Sequence, residues 1–253
     1  MKTSSHPSRR GFTLAETVIA IGILSVLLTG FIVVFTPAAD GIRKSINSQQ
    51  ADRLASTLEQ ELVTLRTGES SSMIATGFDK AFKLIQDSMV SSSPEVVFVY
   101  QYRGDLKAAL RADGTYSAYS GNSGVVGADF TVVSMARRRI KLDGSTDSDF
   151  EQDLSALEGR VFAVKMTQLV FSTGSGLTLA TTGTIADPTP DPTNDPPLTG
   201  NTAAGRYQEA VIAFSADFFS LPSSSYSYLK TGGAFSPVKL KNPMFSRNLA
   251  VRR

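Results

Sequence analysis

The stretch SRRGFTLAETVIAIGILSVLLTGFIVVF, residues 8–35, decides how the chain is read. From Thr17 to Ala39 no residue is charged, a run of 23 positions. A bilayer core of ~30 Å is crossed by about 20 apolar residues in a helix, so the run is long enough to span one. One residue conflicts with a plain span. Glu16 sets a carboxylate near the start of the run. An ionised side chain in hydrocarbon costs on the order of 3 kcal/mol on insertion scales, and such a residue marks a functional site or a partner.

The flanks narrow the reading. Residues 1–10 hold Lys2, Arg9 and Arg10 and no acid. A basic flank without acids places the N-terminus in the cytoplasm and the rest of the chain beyond the membrane. A secretory signal peptide has the same basic start, but its apolar core is usually 7–15 residues, shorter than this one. A small-residue cleavage site at TPAAD, residues 36–40, is the feature in its favour. A simple uncleaved anchor is the other reading. Neither gives Glu16 a role.

RRGFTLAE, residues 9–16, resembles the processing motif of type IV prepilins, shared by pilins and type II secretion pseudopilins. The matching features are the short basic leader, Gly11, Phe12, Thr13, Leu14, Glu16 and the apolar run behind them. The resemblance covers about residues 7–36. It implies that a prepilin peptidase cuts after Gly11, that the new N-terminal residue, Phe12, is methylated, and that Glu16 is the assembly carboxylate. The implication agrees with elementary electrostatics. Cleavage exposes a cationic amine on Phe12, and a buried carboxylate is tolerated when a cation pairs with it. In the family the implied partner is the amine of a neighbouring subunit.

Composition bounds the remainder. The chain has 253 residues, 42% of them hydrophobic and 9% aromatic, enough for a packed core. Its net charge of +2 comes from the leader: without those three basic residues, 22 basic side chains face 23 acidic ones. That balance gives no nucleic-acid footprint. There is no cysteine, and the one histidine is His6. Ser-His-Asp and Cys-His catalysis and the usual zinc sites therefore have no residues to use after Gly11. There is no dinucleotide fingerprint and no Walker motif. KTG at 230–232 and SPVK at 236–239 lie in the wrong order and too close together for penicillin-binding chemistry. Nothing marks an Asp/Glu pair for glycan hydrolysis.

Beyond the apolar run, Ile42, Ile46, Leu54, Leu58, Leu62 and Leu65 recur mostly every fourth residue, which predicts an amphipathic helix. The expected helix covers 12–67, with its transmembrane part at about 14–36, a kink or break at Pro37 and a stop at Gly68. A wholly helical Phe12–Arg66 would be roughly 80 Å long. GFDKAFKLIQDSMV, residues 77–90, predicts a second helix burying Phe78, Phe82, Ile85 and Met89. Strands are expected at 95–102, 129–136, 160–172, 176–183 and 207–221, from their Val, Phe, Tyr and Thr content and the turn residues between them. The fold class is therefore α+β, a long N-terminal helix laid on an antiparallel sheet, which is also the pilin-like fold the resemblance implies. Leader 1–11, helix 12–67 and an extracytoplasmic globular domain 68–253 are the expected parts.

Four features of that domain need separate readings. The Pro/Asp-rich tract 186–205 is expected as an exposed loop. The basic run after Ser236 is expected as a solvated tail. RRRIK, residues 137–141, is expected as a charged strand end or edge. DSDFEQDLSALE, residues 147–158, places Asp147, Asp149, Glu151 and Glu158 at calcium-loop positions, but Gln152 stands where the sharp turn needs glycine. A short helix capped by Ser148 and Glu151, with Phe150, Leu154 and Leu157 on one face and Gly159 as the stop, uses more of the same residues.

The expected function is structural, with no catalysis and no required cofactor, calcium at 147–158 being the one candidate. The expected role is a minor or specialised pilin or pseudopilin subunit. Its partners would be a prepilin peptidase, sibling subunits, the cytoplasmic membrane and an assembly platform. The alternative is an extracytoplasmic binding module or enzyme on an uncleaved helix.

Overall fold

The computed structural model describes residues 13–71, 74–172, 176–181, 183–187, 203–222 and 225–253. The chain divides into two units, Met1–Asn47 and Ser48–Arg253. Helix α1, Leu14–Val63, begins in the first and ends in the second.

In the first unit the apolar side chains from Leu14 to Phe35 are exposed, as are Ile42 and Ile46. The helix is long and apolar enough to cross a bilayer. Its polar residues spare the hydrocarbon by bonding back to the backbone: Ser25, Thr29 and Thr36 each donate to the carbonyl four residues earlier, at 2.8–2.9 Å. Pro37 lies inside the helix without interrupting it. The break expected there does not occur. The ring removes one backbone donor but leaves the surrounding turns hydrogen-bonded.

In the second unit the expected stripe meets the sheet. Leu54, Leu58 and Leu62 are fully buried, each contributing about 1.5–3 kcal/mol on leaving water. Helix α1 ends at Val63, and Gly68, at φ +90°, sits in the turn beyond it. Helix α2, Gly77–Met89, opens with a capping box between Thr76 and Asp79 and buries Phe78, Phe82, Ile85 and Met89 as its periodicity predicts. Gly77 is required by packing. A Cβ there would lie 2.0 Å from the Val63 carbonyl oxygen, so the start of α2 presses on the end of α1.

The sheet is antiparallel, in the order β2-β1-β3-β5-β6, with β4 paired to β3. The strands are β1 (Val97–Asp105), β2 (Phe130–Arg137), β3 (Phe162–Ser172), β4 (Gly176–Leu179), β5 (Val211–Ser220) and β6 (Phe245–Arg252). Both faces carry a core. Val97, Val99, Val164, Met166, Phe214 and Phe218 pack with α1 and α2 on one face. Phe98, Tyr100, Tyr102, Ala163 and Phe219 pack on the other, under helix α3 (Ser148–Asp153) and the segment around Leu229 and Phe235.

Strand β6 corrects the reading of the C-terminal run as a solvated tail. It pairs with β5 along its whole length, buries Leu249 and Val251, and holds Arg247 against Asp52 at 3.1 Å. The basic residues share a strand with apolar ones, so charge marks positions along it and not the segment as a whole. Of the 186–205 tract, residues 188–202 lie outside those described. At its near end Ala186 exchanges two backbone bonds with the buried Gln168 side chain, at 2.6 and 2.7 Å, and at its far end lies a short helix α4, Ala203–Arg206.

Candidate assembly site

Gly11 and Phe12 lie outside the described residues. The site begins at Thr13, just before α1. Here the chain builds a capping box. The Glu16 carboxylate accepts from the Thr13 backbone N–H at 2.8 Å and its hydroxyl at 3.0 Å, and the Thr13 hydroxyl accepts from the Glu16 N–H at 3.3 Å. The sequence T-x-x-E spells this out, and it is the one local role for Glu16 that reading it as an isolated charge missed. The carboxylate satisfies donors at the helix start and lies where the helix dipole favours negative charge. These bonds leave room on a carboxylate, which offers about four lone-pair directions.

The second acidic cluster predicted from sequence folds around arginine. Asp147 caps α3, accepting from the N–H groups of Asp149 and Phe150 at 3.1 and 3.3 Å. The cap is therefore one residue earlier than the expected Ser148. Arg137, the last residue of β2, reaches Asp113 at 2.6 Å, Asp147 at 3.5 Å, Asp153 at 3.6 Å and Asp149 at 3.9 Å. Arg111 bonds Asp153 at 2.8 Å, and the Tyr100 hydroxyl donates to the same carboxylate at 2.7 Å. RRRIK is thus more than a charged edge: Arg137 is buried among acids, and Arg138 reaches Asp87 at 2.7 Å. Glu151 instead accepts from the Thr231 N–H at 2.7 Å, and Glu158 lies 3.9 Å from Arg103. The four calcium-loop positions do not converge, and among the described residues no group of three metal-ligating side chains does. A cavity of about 430 Å³ opens beside this cluster, bordered by Arg66, Lys80, Asp113, Arg137, Arg138 and Asp147. Charges of both signs line it.

Burial and charge shift these groups in opposite senses. Burial works against ionisation of Asp113, but bonds from Thr115 and Arg137 outweigh it and hold the carboxyl down at about 2. Burial raises Asp147 and Asp153 in spite of Arg111 and Arg137. Burial, helped by the Asp153 charge, pushes the Tyr102 phenol up to about 12 and raises Tyr100. A phenol with a folded value above its unfolded value of about 10 contributes fully below pH 10 and loses that contribution as pH rises towards 12. The chain in detergent should therefore lose stability between pH 10 and 12. Tyr102→Phe should flatten that fall by up to about 3 kcal/mol, read from denaturant midpoints across the range. Parallel curves for the two proteins would remove Tyr102 from the effect.

Residues 6–32 match the family model described as the prokaryotic N-terminal methylation motif. Comparisons with curated proteins and with solved structures gave no match. The matched segment contains Gly11, Phe12, Thr13 and Glu16 and the first half of the exposed apolar helix. A methylation motif running into such a helix supports the chain's place among the type IV prepilin-like proteins.

Proposed function

We propose that this chain is a structural subunit of a type IV pilus or a type II secretion pseudopilus. The observation that carries the reading is the methylation motif set on an apolar helix with Glu16 near its start. In this reading a prepilin peptidase cuts after Gly11, Phe12 becomes a methylated N-terminal amine, and Glu16 receives the amine of a neighbouring subunit. The basic leader stays in the cytoplasm, and the unit from Ser48 onward lies across the membrane. The chain is an assembly element and not an enzyme, and it requires no cofactor. The absence of histidine after His6 and of any cysteine supports that part.

The exposed helix supplies the physical reason for assembly. A run of bare apolar side chains is stable only in lipid or against other helices. A subunit leaving the membrane must exchange the first cover for the second. The size of the globular unit and the lack of a disulfide favour a minor or specialised subunit.

The N-terminus tests the reading. Mass spectrometry of the chain from its native membrane should find a start at methylated Phe12. An intact Met1, or a start at Ala39 or Asp40, would overturn it in favour of an uncleaved anchor or a signal peptide.

A further inference from the structure

Strand β2 is an edge of the sheet, paired on one side only, to β1. The bonds of β1 fix which way its neighbour's backbone points. The N–H groups of Asp105 and Arg103 donate to the carbonyls of Ser117 and Ala156, and the Gln101 carbonyl accepts from the Glu158 N–H, each at 2.8 Å. These groups turn away from β2. The residues opposite them, Phe130, Val132 and Ser134, are therefore the unbonded pairs of the antiparallel ladder, and alternation adds Ala136. The N–H and C=O groups of all four point out from the edge. The Phe130 carbonyl is taken by the Gly127 N–H at 2.8 Å, while those of Val132, Ser134 and Ala136 have no hydrogen-bond partner among the described residues.

An open edge invites another strand, and proteins usually blunt it with charge, proline, a bulge or short length. β6 carries Arg247 and Arg252, with Arg247 held by Asp52, and β4 spans only Gly176–Leu179. β2 has none of these devices. From Thr131 to Ala136 it holds no charge, proline or glycine, and its register with β1 runs without a bulge. Val132 is 41% exposed, and Ser134 and Ala136 are half-buried. A second feature lies at the end of this edge. Ala136 borders the cavity of about 430 Å³, whose walls include the buried Leu58, Leu62, Phe82, Leu84 and Val97. A strand added to β2 sets the side chain opposite Ala136 on Ala136's own face, beside that opening.

We propose that the β2 edge accepts an extended segment of a different protein as a further strand, with a bulky apolar side chain opposite Ala136 seated in the cavity. The main chain supplies the attraction in such strand addition, and the pocket selects the sequence. The cavity argues against a second copy as the occupant. Another β2 would bring Phe130, Val132, Ser134 and Ala136 as its bonding positions, and Phe130 is buried in its own unit. Val132 is then the largest side chain it could offer, too short to fill a space of this size.

The probe is a short peptide of alternating threonine and valine with one phenylalanine, blocked at both ends and titrated onto the full chain in detergent. It should bind, and N-methylation of its amides along one edge should weaken binding at least tenfold while methylation along the other edge changes nothing. Ser134→Pro removes an outward N–H and spares the β1–β2 ladder, so it should weaken binding as much. The methylated peptides test the same bonds on the unaltered protein. No binding, or equal binding by both methylated forms, would overturn strand addition. Equal binding by the peptide with serine in place of phenylalanine would overturn the seat in the cavity. The chain has no cysteine, so Ser134→Cys reports self-pairing without background. It should stay monomeric when its membranes are oxidised; linked dimers would overturn the different protein in favour of a two-fold β2–β2 contact.

Discussion

Replacing Arg137 with alanine should lower the stability of the globular unit by roughly 3–5 kcal/mol, the cost of leaving a buried charge without its partner. The reason lies in the surrounding charges. Asp113, Asp147, Asp149 and Asp153 all approach this one guanidinium, and Arg111 shares the load through Asp149 and Asp153. Asp153 is fully buried and Asp147 nearly so. Without Arg137, carboxylates on the α3 segment and the Asp113 loop face one another with one cation fewer between them. Arg137→Lys should recover part of the loss, because an ammonium keeps the charge but not the planar fork that serves several acids at once. Denaturant midpoints of the full chain in detergent measure both variants. A loss under about 1 kcal/mol for the alanine variant would show that the acids do not depend on this residue.

Glu16→Gln should leave processing intact and abolish assembly into filaments, a loss of tenfold or more in assembled protein. The capping box makes this substitution more telling than Glu16→Ala. Alanine removes both the charge and the bonds to Thr13, so it weakens the helix start by about 1 kcal/mol as well. Glutamine keeps an acceptor oxygen at the third helical position and still serves the box. It removes only the negative charge that the Phe12 amine of a neighbour would meet. Sheared filaments quantified against total processed protein give the readout. Normal assembly of the glutamine variant would sink the charge-pairing role and leave Glu16 a cap.

How much of this was legible in the sequence follows from what each residue's neighbours are. The helices at 14–63 and 77–89 and five of the six strands were readable, because their apolar residues recur at the period of the element. Strand β6 was hidden because Arg247 and Arg252 interrupt FSRNLAVR, and the partner that takes up Arg247 is Asp52, 195 residues away. RRRIK was half legible. Its place at a strand end shows in the charge run, but Arg137's role as a buried hub depends on acids from two other segments, the Asp113 loop and the α3 segment. The four acids of 147–158 were visible as a cluster, while their division between Arg137, Thr231 and Arg103 is a tertiary matter. At the N-terminus, T-x-x-E at residues 13–16 spells the capping box in the sequence itself.

The contact between Gly77 and the end of α1 has a mechanical consequence. Val63's carbonyl abuts the α2 backbone, and Leu54, Leu58 and Leu62 lie in one line behind it, with Glu61 tied to Arg66 at the helix end. Tension arriving along α1 cannot peel these anchors off one at a time. It loads them in shear, and the whole row must slip together before the helix leaves the sheet. The last ten residues of α1 are in that sense a coupling, rated by the summed strength of its anchors and not by the weakest.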